Sequence, residues 1–246
     1  MESPLPEPTP YPFAEPLTFR DARHTERLGI ITGAAKQAVP TLYPALDLPD
    51  HLLVGGEVRD LLYRCGLGFL LLDDPGTYQN VVEEFLCSLD VVREGRRVTQ
   101  WRFILGVREF FIGERMIREW LSFPLLGGEV IVRNEHLQSR FWRDISGRHE
   151  WFAPSYNASA IALLIWKIIH HIIAIGINTR GDMAREVTGP DFELMMAINE
   201  GDALDWISIL SSRFESIMKK SSRNSALGGG SMITLIAMMD APSHPR

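Results

Sequence analysis

Few side chains in this sequence could do chemistry, and they are scattered: paired carboxylates at Asp73 and Asp74, adjacent imidazoles at His170 and His171, thiols at Cys65 and Cys87, and a run of arginines from Arg93 to Arg118. Two neighbouring carboxylates can hold a divalent cation or divide acid and base roles between them. Asp74 precedes Pro75, however, and an acidic N-cap with proline at the first helical position is a common helix start, so capping is the expected role. Adjacent helical residues point about 100° apart, so His170 and His171 cannot share one metal, and ligating partners three or four residues away are missing. Packed or hydrogen-bonded histidine is expected there. Cys65 closes the apolar stripe Val58, Leu61, Leu62, Cys65 of a predicted helix, a core position, and Gly66 is suited to the left-handed residue that ends it.

Gly66-Leu67-Gly68 sits at a helix end, not between a strand and a helix start, and lacks the third glycine of a dinucleotide loop. The chain also has no Gly-x-Ser-x-Gly elbow, no phosphate loop, no Asp-Ser/Thr-Gly protease triplet, no aromatic-x-Asp-Asp polymerase strand and no Cys/His knuckle. Asp73, Asp74 and His170 would be the best candidates of an enzyme, but the expectation is no enzyme, no cofactor and no metal.

The arginines are the one electrostatic asymmetry. Seven arginines against three glutamates leave residues 93–118 at +4 and, with the chain at −6, the remainder at −10. Acidic overall balance argues against a general nucleic-acid or anionic-membrane binder, while a local patch survives that argument. Arg96, Arg97, Arg102 and Arg108 are the candidate nucleic-acid contacts, with Arg102 expected to point outward and weak RNA or DNA binding the expected result. A solvated face with Glu114 and Arg118 paired is the plainer reading.

The element that positions them is legible in detail. A two-residue turn at Gly106-Val107 pairs Leu105 with Arg108, Phe103 with Phe110 and Trp101 with Ile112, placing the large apolar groups on one side. Glycine first suits a type II′ turn. After Gly113 the period becomes helical, with Met116, Ile117, Trp120 and Leu121 on one face and Pro124 as the stop. Helices must then cover the apolar side of the hairpin. Further helices are predicted over about 75 to 90, with Tyr78, Val81, Val82, Phe85, Leu86 and Leu89 inward, over a short stretch from Pro190 to Asn199, and over about 202 to 220, with Ile207, Leu210, Phe214 and Ile217 inward.

Residues 157–177 form the most apolar run. Lys167, His170 and His171 sit inside it, so the pattern predicts a buried core helix and not a membrane span, with Ile161, Leu164, Ile165, Ile168, Ile172 and Ile175 inward and His170 on a polar edge. Residues 19–49 read mostly as loop, and 124–157 as an aromatic-rich connection with Phe141, Trp142, Trp151, Phe152 and Tyr156 filling core edges. The segment after Ser221 reads as a glycine-rich turn and a short apolar stretch. Prolines at 4, 6, 8, 10, 12 and 16 predict a disordered lead-in over 1–18, and residues 241–246 a disordered tail. The expected fold is α+β and predominantly α-helical: one domain over 19–240, about six to eight helices around a small antiparallel hairpin at 98–112. Two unclustered cysteines and no basic region followed by an apolar one at the start predict a reduced intracellular protein, cytoplasmic or nuclear, not secreted.

Six collinear blocks carry a resemblance. They are TYQNVVEEFLCSLDVV, RFILGVREFFIGERMIREWLSFP, FWRDISG, the run from Ser159-Ala160-Ile161 to His170, Arg180-Gly181, and Leu227 to Thr234. In order and spacing, over about residues 28 to 239, they resemble the first-open-reading-frame proteins of Athila-type plant retrotransposons. The sequence departs from that pattern at Leu164, where a proline is usual, and at Cys87, where serine or threonine is. The resemblance implies a gag-like or accessory product, a protein-interaction or self-assembly module whose partners are copies of itself or other retroelement proteins, with no catalytic residues to carry over.

Overall fold

The computed structural model describes residues 21–33, 37–38, 54–71, 76–123, 135–147, 155–178, 185–202, 204–219 and 229–239. The proline-rich lead-in, the 241–246 tail, the Asp73-Asp74-Pro75 cap, Trp151, Phe152 and Arg180-Gly181 lie outside them. The fold is α+β and predominantly helical: nine α-helices are found among the described residues, with one three-stranded and one two-stranded antiparallel sheet.

The hairpin has the expected register. Strands β2 (Arg97–Leu105) and β3 (Arg108–Gly113) pair Trp101 with Ile112, Phe103 with Phe110 and Leu105 with Arg108. Of the two turn residues only Gly106 has positive φ, at 59°, as a type II′ turn requires. A third strand, β1 (Asp90–Glu94), joins it through a second two-residue turn, Gly95-Arg96, so the sheet runs β1-β2-β3. This corrects the reading of Asp90 as a helix end and of Arg93 to Arg97 as a charged turn. The signal is present, since Gly95-Arg96 repeats the Gly-x turn of Gly106-Val107, but Leu89 continues the helical stripe and hides it.

Helix α3 (Gln79–Ser88) is the central helix. Its side chains are buried over most of its circumference because the sheet, α1 (Ala22–Gly33), α8 (Trp206–Lys219) and α9 (Gly230–Met239) all pack on it. Phe85 packs edge-on against Trp101 and Phe214 and at a tilt on Phe103, and the Trp101 indole donates a 2.7 Å hydrogen bond to Ser211 Oγ on α8. Just ahead of β1, the Ser88 hydroxyl extends its ladder by accepting from the Ile104 N–H at 2.8 Å while donating its proton to the Glu84 carbonyl at 2.6 Å. Buried Glu84 accepts the Gly106 N–H at 2.9 Å, so one helix holds both the strand and its turn.

A bulge interrupts β2. Val92 faces Gln100 while Arg93 faces Val98, leaving Thr99 as the extra residue. It resets the alternation, so that Val98 and Trp101, three apart, are both buried, and it turns Arg93 to the inner side, where its guanidinium makes two hydrogen bonds of 2.8 and 2.7 Å to Glu215 on α8.

Helix α4 (Glu114–Trp120) follows the sheet and ends before Pro124: Ser122 adopts a left-handed φ of 54° and the Phe123 N–H returns to the Arg118 carbonyl at 2.8 Å. Helix α1 corrects the loop reading of 19–49. With Gly29, Gly33, Thr25 and Thr32 it is a poor helix by propensity, and tertiary contacts hold it: Arg27 donates to the Cys87 and Leu89 carbonyls, and Arg23 pairs with Asp90 at 2.6 Å. Helix α2 (Gly55–Arg64) buries Val58, Leu62 and Cys65, and Gly66 has φ 81°.

Helix α5 (Glu135–Ser146) lies inside the stretch read as a connection. It brings Phe141 and Trp142 against Trp166, Phe192 and Tyr156, the last on strand β4 (Ser155–Asn157). The apolar run begins with β4 and a 3-10 turn; its α-helix, α6, covers Leu164–Ile172 and continues as a π-helical turn over Ile173–Ile177. Its inward side differs from expectation in part: Ile161 and Ile172 are buried as expected and Ile165, Ile168 and Ile175 are half-buried, but Trp166, Ile169, His170, Ile173 and Ile177 are buried too, and Leu164 is 41% exposed. Strand β5 (Glu186–Thr188) pairs with β4 and leads into α7 (Gly189–Glu200), which Pro190 opens as predicted. The segment after Ser221 contains α9, whose Met232, Ile233 and Ile236 are buried. The buried side chains form one contiguous core.

Candidate functional site

The four arginines predicted to touch nucleic acid are all exposed, and the fold spreads them out instead of gathering them. Arg96 and Arg97 stand at the β1–β2 turn and Arg108 at the far turn. Seven ladder steps, with Thr99 bulged out, separate Arg97 from Leu105, the partner of Arg108, about 24 Å at the usual strand rise. Arg108 follows the inward phase of Phe110 and Ile112, opposite buried Leu105, yet its own side chain is exposed. Arg102 alone projects from the outer face of the sheet.

Part of the local positive charge is neutralised within the fold. Arg93 is paired with Glu215, and Arg97 with Glu114 at 2.6 Å. Arg118, buried on α4, pairs with Glu114 at 2.7 Å and reaches Asp205 at 3.6 Å. The Glu114 carboxyl is driven up by burial, but hydrogen bonds from Arg118 and Arg97 outweigh that and hold it below the ordinary carboxylate range. The predicted Glu114–Arg118 pair is therefore the centre of a network tying β2, α4 and the start of α8.

On the outer face, Phe111 stands directly opposite Arg102 and is 54% exposed. The Arg102 guanidinium lies 5.8 Å from the Phe111 ring centroid and donates from Nε to Gln100 Oε1 at 2.7 Å. Glu109 shares this face, as does Asp90, whose charge is met by Arg23. Sequence reasoning places Arg102 here and passes over Phe111, although its alternation with Phe110 and Ile112 assigns it to the outer side.

His170, expected on a polar edge, is 2% exposed, and its Nε2 lies 3.5 Å from Asp191 Oδ2. Asp191 is itself fully buried and committed elsewhere. Its Oδ2 accepts the Thr188 N–H and hydroxyl in the capping box of α7, and its Oδ1 accepts from Asn178, which ends the π-turn, at 2.6 Å. This arrangement fastens α6 to α7. His171, one residue on, is exposed, so the two imidazoles face apart as helical geometry requires. Burial pushes the Cys65 and Cys87 thiols up to about 12, which leaves both as inert neutral groups at neutral pH.

Among the described residues no group of three or more His, Cys, Asp or Glu is placed to hold a metal ion, and no helix is long and apolar enough to cross a membrane. Comparison with family models, with curated proteins and with solved structures finds no match.

Proposed function

We propose that this chain is a non-enzymatic interaction module, a gag-like or accessory product of the Athila-type retroelement it resembles, that assembles with copies of itself or with other proteins of its element. The supporting observation is the start of α6, where consecutive leucines, Leu163 and Leu164, are left 46% and 41% exposed although the sequence pattern assigns Leu164 to the core side. Adjacent large apolar groups at a helix start, flanked by exposed Lys167, form the kind of apolar centre and polar rim that protein partners cover. His170 and both cysteines serve packing roles, in keeping with work done by binding and not by bond making. Two free buried thiols accord with a reducing, intracellular compartment, cytoplasm or nucleus.

Size-exclusion chromatography with light scattering over a range of concentrations tests the assembly. The apparent mass should rise with concentration, and Leu164→Lys should suppress the rise; a strict monomer at the highest concentration argues against assembly. A second reading, weak nucleic-acid binding by the arginine segment, is favoured by Arg102, which meets no carboxylate among the described residues.

A further inference from the structure

We infer that the outer face of the three-stranded sheet binds single-stranded nucleic acid, an unpaired base stacking on Phe111 beside the guanidinium of Arg102. The inference rests on the nucleic-acid reading and narrows it to one strand state and one platform. Three observations carry it. Phe111 is an aromatic ring left 54% exposed in the middle of a strand, while every other aromatic residue of the sheet is buried. The Arg102 cation is held 5.8 Å from its centroid, and the 2.7 Å bond from its Nε to Gln100 fixes that orientation while leaving both terminal nitrogens to meet a phosphate. The inner face is sealed by α3 and α8, so ligand can approach the sheet only from this side.

A ring flanked by a cation offers a base its π-face and a phosphate its countercharge, the combination that single-strand binders use without sequence preference. A duplex keeps its base faces stacked and cannot use the ring. Charge alone does not suffice here: Glu109 lies on the same face, Asp90 is met by Arg23, and Arg96, Arg97 and Arg108 stand at the two ends of the strand. Stacking must therefore supply most of the affinity, and the salt dependence should be shallow, with a slope near the ~0.7 of a single phosphate contact.

Fluorescence anisotropy of labelled single strands of about ten nucleotides, and of a duplex of the same sequence, titrated with the full chain at about 50 and about 200 mM salt, tests this. The single strands should bind more tightly than the duplex. Phe111→Val, which keeps an apolar β-former but removes the ring, should weaken binding roughly ten-fold or more, and Phe111→Trp should restore or improve it. Arg102→Gln should remove most of the salt slope. Equal binding by the Phe111→Val variant and the native chain, or a duplex bound as tightly as the single strand, would overturn the stacking site while leaving the arginine reading in place. Absence of binding by the native chain at the lower salt would overturn both.

Discussion

Glu84 and Glu114 are both buried or nearly so, and their surroundings push them in opposite directions. Glu114 receives hydrogen bonds from two arginines, so its folded carboxyl is held low; it contributes stability above the ordinary carboxylate range that is lost as the pH falls through the depressed folded value. Desolvation raises Glu84, only partly countered by the Gly106 N–H, so the fold favours its neutral form, and stability is lost as the pH rises through the elevated folded value. Glutamine at each position separates the two cases. Glu114→Gln should cost about 1–3 kcal/mol at neutral pH, because it removes the charge 2.7 Å from the buried Arg118 guanidinium and leaves Asp205 at 3.6 Å, and should flatten the acid limb of the stability profile. Glu84→Gln keeps an acceptor for Gly106 and sheds the desolvation, so it should leave stability unchanged or raised at neutral pH. Urea titrations at several pH values measure both.

At the scale of elements, the bulge at Thr99 decides which arginines the fold consumes. Because Val92 faces Gln100 and Arg93 faces Val98, Thr99 is the one residue of β2 whose removal restores a regular ladder without moving its neighbours to the opposite face. Deleting Thr99 should therefore shift the melting temperature by only a few degrees, about 1–2 kcal/mol in a chain of this size. Deleting Arg102, one strand position past Trp101, should abolish cooperative unfolding, since every residue on one side of the deletion would change faces. Circular dichroism melts of the two deletions make the comparison. The hairpin is legible in the sequence because its alternation is regular from Trp101 to Leu105 and its turn carries glycine. Strand β1 is not, because a bulge has no signature in residue types, and because Leu89 and Asp90 follow α3 without a helix-stopping glycine or proline.

For the whole molecule, the C-terminal helix matters more than its glycine-rich approach suggests. Helix α9 packs on α3, the same helix that carries Ser88 and Glu84 to the sheet, and Thr77 ahead of α3 meets Ser231 at 3.0 Å. The chain enters α9 so close to α8 that a β-carbon at Gly229 would stand 3.2 Å from the Phe214 ring. Removing residues from 229 onward would therefore uncover both α3 and one edge of Phe214. With Met232, Ile233 and Ile236 each worth about 1.5–3 kcal/mol on burial, a chain ending at residue 228 should lose most of the net stability of a domain of this kind. Its unfolding by urea should become broad and shifted to low concentration; a sharp transition at the full-length midpoint would show that α9 is peripheral.

By itself the sequence determined the predominantly helical α+β class, the register of β2 against β3, the core role of Cys65, the inward residues of α8 and the start of α7. Each of these rests on short-range periodicity or on turn and capping residues within a few positions, which a linear pattern contains. Tertiary structure alone decided the rest. Helix α1 exists although its residues favour it poorly, because Arg23 and Arg27 anchor it to Asp90 and to the end of α3. His170 lies inside and Leu164 outside because a helix with only three polar side chains does not fix which of them turns inward, and Asp191, twenty-one residues further on, faces His170 in the core. The arginines stand apart because strand length sets their spacing, and Arg93 and Arg97 are neutralised by Glu215 and Glu114, partners that no local pattern names, whereas the pairing of Arg118 with Glu114 four residues before it is legible in the sequence.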